Sequence, residues 1–251
     1  MNYSHFDKYL KKAMKYDFLS NYYKYSDPNL FITYYQKHLQ YMQIALTPAP
    51  RDELDLERTQ PMIRILHASP GAPSVDVYLN GRRTIRNLTF RQETDYIPLK
   101  ETGQYRIDIF PAGKTDKPLK SEQVQLEKNQ KYTSAVVGRP SELDIILIAD
   151  NSSTPAGETK VRFIHLSPNA PAVDIAAKNG DVVFSNISFK EVTDYLGLTP
   201  MPLDVEVRAA GTDKVVLDVP PVRLRPNRAY TIYAVGLLNG NPALEALISQ
   251  D

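Results

Sequence analysis

The feature that most constrains this chain is an internal repeat. Residues Ile63 to Val77 read IRILHASPGAPSVDV, and Val161 to Ile175 read VRFIHLSPNAPAVDI. The correspondence continues in order. Asn80-Gly81 is matched by Asn179-Gly180, and Thr94-Asp95-Tyr96 by Thr193-Asp194-Tyr195. Ala112-Gly113 then matches Ala210-Gly211, Tyr132-Thr133 matches Tyr230-Thr231, and Gly138 matches Gly236. The offset moves by one residue midway. A chain that carries one unit twice has to build one fold twice.

That fold reads as all-β. From Met62 onward, short runs rich in Val, Ile, Leu and Tyr alternate with Gly, Pro, Asn and Asp, the pattern of a β-sandwich. Asn151 to Gly157 is a polar, Ser- and Pro-bearing linker between the copies. The organisation expected is a leader over 1–46, a linker over 47–60, a first sandwich over 61–150, a linker over 151–159 and a second sandwich over 160–251. A linker of this composition predicts loosely articulated domains.

The leader differs in kind. It holds nine of the sixteen tyrosines, no glycine, and Pro28 as its one proline. Phe6, Leu10, Ala13 and Phe18 recur near helical spacing, as do Phe31, Tyr34, Tyr35, His38, Met42 and Ala45. Ser26-Asp27-Pro28 supplies a capping side chain and a proline for the first helical position. Two helices are predicted, about 5–20 and 28–45. Tyr22, Tyr23, Tyr25, Tyr34, Tyr35 and Tyr41 are too many to hide within one hairpin. Of these, Tyr22, Tyr23, Tyr34, Tyr35 and Tyr41 are the candidate assembly residues, because tyrosine is enriched where an apolar contact meets a wet rim.

Composition removes several functions. Thirty basic residues nearly cancel 29 acidic ones, so no overall field favours nucleic acid. The absence of cysteine removes disulfides, thiolate nucleophiles and Cys-ligated metals. No glycine-rich phosphate loop and no His-x-His or calcium-loop spacing occurs, so no cofactor or metal is expected. The N-terminal residues alternate polar and aromatic types. They show neither a signal peptide nor a membrane span, which predicts a protein made in the cytoplasm without export through a signal peptide.

The repeated His-x-Ser-Pro-x-Ala-Pro-x-Val-Asp stretch, the Asn-Gly turn, the Thr-Asp-Tyr triplet and the closing Tyr-Thr strand resemble the bacterial DUF4397 family. The resemblance implies two tandem immunoglobulin-like or transthyretin-like β-sandwiches, a mainly β fold behind the α-helical leader. It also implies no known catalytic activity and a frequent place on secreted or surface proteins. The aromatic leader and missing signal depart from that layout. They suggest a spore layer, assembled without export, as an alternative setting.

Within the motif, His67, Ser69 and Asp76, with His165, Ser167 and Asp174, are the candidate loop-bracing or ligand-loop residues. In Val75-Asp76-Val77 the valines share one sheet face and the carboxylate points to the other. It is placed to accept hydrogen bonds from loop amides, from Ser69 or from the His67 ring. A Ser–His–Asp triad is disfavoured, since His67 and Ser69, two apart on an extended strand, point the same way without facing each other. Tyr96 and Tyr195 are expected to pack their rings and find buried partners for their hydroxyls. Tyr132 and Tyr230 resemble a tyrosine corner by position. The function expected is therefore non-catalytic: a structural or assembly protein with protein partners, itself or an envelope or coat protein. The alternative is a glycan- or peptide-binding module using the Ser-Pro-x-Ala-Pro loops.

Overall fold

The computed structural model describes residues 3–25, 28–47 and 60–251. The helical leader forms one compact unit and residues 60–251 form another.

In the leader, α1 (Tyr3–Tyr23) and α2 (Pro28–Leu46) run antiparallel. Tyr9 stacks near Tyr41, Tyr16 lies 5.3 Å from Tyr41, and Tyr23 lies 5.7 Å from Tyr34. The His38 Nδ1–H donates to the Ala13 carbonyl at 3.1 Å, and small side chains at Ala13 and Ala45 let the helices approach. Both helices extend slightly past the expected ends, since no breaker precedes Lys24. The Ser26-Asp27 start signal and residues 48–59 of the expected linker lie outside the described residues.

The first sandwich comprises β1 (Met62–His67), β2 (Val75–Leu79), β3 (Arg82–Leu88), β4 (Ile97–Pro98), β5 (Gly103–Pro111), β6 (Lys120–Leu126), β7 (Lys131–Val137) and β8 (Asp144–Asp150). One sheet has the order β4-β1-β7-β8 and the other β3-β2-β5-β6, with β1 and β7 parallel. The second sandwich comprises β9 (Thr159–His165), β10 (Val173–Ala177), β11 (Val182–Ile187), β12 (Leu196–Leu198), β13 (Pro202–Leu203), β14 (Val205–Ala209), β15 (Val215–Asp218), β16 (Val222–Arg223), β17 (Arg228–Val235) and β18 (Glu245–Gln250). Its sheets repeat the order, as β12-β9-β17-β18 and β11-β10-β14-β15, beside a short β13-β16 pair.

The sheets containing β1 and β9 are buried on both faces. On β1, Ile63 and Ile65 enter the first sandwich core while Leu66 enters a different cluster. On β7, Tyr132 and Val136 face the same core, and Ala135 and Val137 join Leu66. β9 and β17 divide likewise: Phe163 and Ile232 face the second core, while Ile164, Tyr233 and Val235 join the shared cluster. That cluster is a seam between the two sandwiches. The expectation of loose articulation fails here. The linker composition described only the connecting segment, whereas the strands beside it bury a continuous apolar face.

The Asn-Gly turns differ. Asn80 and Gly81 have φ of 49° and 76°, the two positive values a type I′ hairpin needs. In the second copy Asn179 has φ 55°, but Gly180 is not in the left-handed region. Four residues rather than two separate β10 from β11 there, and Gly180 N–H closes a turn on the Ala177 carbonyl at 2.8 Å. This extra length is where the repeat's offset shifts.

Candidate functional site

The motif residues are brought together as two separate clasps in each copy. In the first, His67 and Ser69, both fully buried, tie the loop that follows β1. The His67 ring donates from Nε2 to the Pro73 carbonyl at 3.1 Å, while its Nδ1 accepts the Ser69 N–H at 3.3 Å. Both ring nitrogens are committed in a neutral ring, and burial, only partly offset by the Pro73 contact, pulls its pKa below the ordinary value. Ser69 Oγ donates to the Gly138 carbonyl at 2.7 Å. Gly138 has φ 87°, and a Cβ there would meet the Glu142 carbonyl oxygen at 2.3 Å, so glycine alone fits. The second copy repeats each bond: His165 to Pro171, Ser167 N–H to His165, and Ser167 Oγ to the Gly236 carbonyl at 2.7 Å.

Asp76 forms the other clasp, and neither His67 nor Ser69 is its partner. It accepts the Asn87 N–H at 2.8 Å, the Gly113 N–H at 3.2 Å and the Arg83 guanidinium at 3.3 Å. The Asn87 amide leads in holding this carboxyl below its usual range, against the opposing effect of burial. Asp174 accepts the Asn186 and Gly211 amides at 2.7 and 2.8 Å. Asn87 and Asn186 have φ of 51° and 57° beside strand irregularities, so each aspartate braces a bulge and a neighbouring turn. Of the partners open to Asp76 (loop amides, Ser69 or the His67 ring), it takes backbone amides, because the β-strand pleat turns it to the sheet face away from the histidine loop.

Tyr132 and Tyr230 accept backbone amides from Glu127 and Arg225, five residues upstream, as corner tyrosines do. Tyr96 and Tyr195 find the buried partners expected of them. They donate to Asp150 and Asp251 at 2.7 and 2.6 Å. Burial, then the adjoining carboxylate, pushes both hydroxyls up, so they stay protonated donors.

Those aspartates belong to a network across the seam. Arg64 Nε donates to Thr133 Oγ1 at 2.7 Å, and its Nη2 reaches Asp251 of the second sandwich at 2.5 Å. Reciprocally, Arg162 donates from Nε to Thr231 at 2.9 Å and pairs with Asp150 of the first. Thr133 donates on to Asp150, and Thr231 to Asp251. The four charged side chains are at most 8% exposed. At the rim Arg91 meets Glu245 at 3.0 Å, and Lys190 meets Asp144 at 2.6 Å, again in matched positions. Sequence reasoning missed this network, although Arg64 and Arg162 stand alone among apolar residues on both copies of one strand.

The symmetry is broken at three places. Glu93 stands where the second copy has Val192, and Ser249 where the first has Ile148. Ser249 donates to Glu93. Arg64 Nε directs its proton at Thr133, so Glu93 Oε1, 2.7 Å from that nitrogen, is held by charge rather than by a hydrogen bond. Tyr233, in the place of Ala135, accepts from Arg64 at 3.1 Å.

Of the leader candidates, Tyr23, Tyr34 and Tyr41 are half-buried between the helices, while Tyr22 and Tyr35 are exposed. Met14, Phe18 and Tyr22 form one exposed stripe on α1, and Ile32, Tyr35 and Leu39 another on α2. Among the described residues no helix is long and apolar enough to cross a membrane.

Residues 61–176 match the family model described as Domain of unknown function (DUF4397). No curated protein matches the chain. Among solved structures it is similar to the C-terminal domain of AlgF from P. aeruginosa, at 14% identity over 39% of this chain and 100% of that one, TM-score 0.28. It is also similar to CBMbc (family CBM26) from Eubacterium rectale Amy13K, solved with maltoheptaose, at 9% identity over 76% and 96%, TM-score 0.25. A third similarity is to family 41 carbohydrate-binding modules from streptococcal virulence factors, at 9% over 73% and 96%, TM-score 0.23. At these identities and scores, no ligand or activity carries over.

Proposed function

We propose that this chain is a non-catalytic structural protein in which two DUF4397-like sandwiches form one stiff spacer and the tyrosine-rich leader supplies self-association or attachment. The observation that carries the reading is the seam. Two reciprocal buried arginine–aspartate pairs and a shared apolar cluster join the sandwiches, which suits a rigid element better than a hinged binder. The motif side chains support it too, since both ring nitrogens of His67, the Ser69 hydroxyl and both carboxylate oxygens of Asp76 are already engaged within the fold. The alternative of glycan or peptide binding by the Ser-Pro-x-Ala-Pro loops has less to draw on. Those loops turn their polar groups inward and expose mainly Gly71 and Pro73, or Asn169 and Pro171. A spore or cell-surface layer is the setting this reading expects.

The exposed stripes on α1 and α2 are the surface for association. Light scattering on the full chain and on a chain lacking residues 1–46 tests it. The truncated protein should keep its unfolding transition and lose assembly mass. An unchanged mass defeats the proposal.

A further inference from the structure

The second sandwich holds a cavity of about 300 Å³ between its sheets. Phe163 on β9 and Phe184 on β11 give it aromatic walls, and Ala177, Leu198 and Val205 continue an apolar lining. Met201 and Val183, 48% and 43% exposed, stand at the rim and leave a way in from solvent. Arg162 borders the space, but its guanidinium is bound to Asp150 on the opposite face of β9, so it presents main chain here. Asp204 is the carboxylate at the border; it is half exposed, with Lys178 Nζ 4.0 Å away.

The first sandwich provides an internal reference. Leu79 pairs with Ile107 where Ala177 pairs with Val205, and Tyr105 precedes Ile107 as Leu203 precedes Val205. Both exchanges remove side-chain bulk next to the cavity. Ile65 and Ile85 of the first copy correspond to Phe163 and Phe184, which moves volume into flat walls. Interiors selected for stability alone fill such space, because an empty wall forfeits dispersion contacts. An apolar cavity of roughly 150 Å³ accepts benzene. This one is about twice that size, and lies at the small end of ligand sites.

We propose that the cavity is a binding site for an uncharged, apolar small molecule, a fused ring or a short alkyl chain with a neutral head. The lining offers no partner to a buried carboxylate, and Asp204 at the border is already paired with Lys178, so an alcohol is preferred to a carboxylate of the same length. All the lining residues belong to the second sandwich.

The test uses the full chain and the uncharged fluorophore N-phenyl-1-naphthylamine, displaced by n-octanol or by octanoate. Saturable binding at one site per chain is expected, with n-octanol displacing the fluorophore at about tenfold lower concentration than octanoate. Ala177→Leu, which restores the first copy's residue, should weaken binding by about tenfold or more while leaving the unfolding midpoint unchanged or raised. Absence of saturable binding, undiminished binding by A177L, or equal displacement by the two competitors overturns the proposal. Should A177L not fold, amide chemical shifts of the unmodified protein with n-octanol decide. Changes gathered at Phe163, Phe184 and Val205 support the site, and changes gathered at the seam or leader overturn it.

Discussion

The two sandwiches share a strand order, a histidine clasp, an aspartate clasp and a buried arginine, yet they are not interchangeable where they touch. The first offers Glu93 and Ile148 to the seam; the second offers Val192 and Ser249 at the same positions. Glu93 therefore meets a hydroxyl, and the equivalent position on the other side of the seam is apolar. If two first sandwiches paired by this geometry, Glu93 would face Ile148, a buried carboxylate against a hydrocarbon. The difference teaches that a near-symmetric contact can be restricted to one pairing by a single polar couple, which disfavours the wrong partner more than it strengthens the right one.

The comparison breaks most visibly at the aspartates. Asp150→Ala leaves Arg162 without its carboxylate and takes an acceptor from Tyr96 and Thr133. Urea unfolding should register a loss of about 3–5 kcal/mol. Asp251→Ala should cost about 1–2 kcal/mol less, because Arg64 retains Glu93 at 2.7 Å. Equal losses would mean that the two halves of the network are equivalent after all.

Glu93→Val alone should cost about 1–3 kcal/mol by removing an Arg64 partner and leaving the Ser249 hydroxyl unmatched. Adding Ser249→Ile puts the valine–isoleucine combination of Val192 and Ile148 on both sides of the seam, with Tyr233 still in the place of Ala135, and should recover most of that loss, read as a coupling in a double-mutant cycle. Additive losses would show that the pair does not act as a unit.

The histidine clasps predict a shared pH dependence. His67 and His165 have folded pKa values below 6.5, so the unfolded chain takes up protons first. Stability should hold above about 6.5, fall as pH drops below that value, and level off beneath the folded pKa. Replacing both residues by glutamine should flatten this slope in unfolding curves taken across the window. A slope that persists assigns the effect elsewhere.

The smallest effect belongs to the rim. Arg91→Ala should lower stability by about 0.2–1 kcal/mol, given that both partners are substantially exposed, and added salt should erase the difference. Lys190→Ala should do slightly more, since Asp144 is less exposed than Glu245.

Much of this was legible beforehand. Matching Asn-Gly, Thr-Asp-Tyr and Tyr-Thr marks placed the strands and the copies, because turn geometry and period-2 patterning are local properties. The buried ends of Tyr96 and Tyr132 followed from an aromatic ring that carries one polar atom. The partner of Asp76 did not follow. Asn87 and Gly113 lie 11 and 37 residues away, and only sheet register brings them to one carboxylate. The seam left a trace that went unread: Ile-Arg-Ile-Leu-His and Val-Arg-Phe-Ile-His lack the polar alternation of a strand with one wet face.

By itself, then, the amino-acid order marked a β-unit whose pattern recurs, singled out its histidine, serine and aspartate as loop-bracing or ligand-loop candidates, and placed a helical aromatic segment before it. Tertiary structure decided which face of each unit meets the other, which aspartate each buried arginine takes, and where the second core stays unfilled. Periodicity and turn chemistry act over a few residues and can be read along the chain. Pairing of buried charges and the filling of space depend on surfaces that exist only after the strands have been assembled.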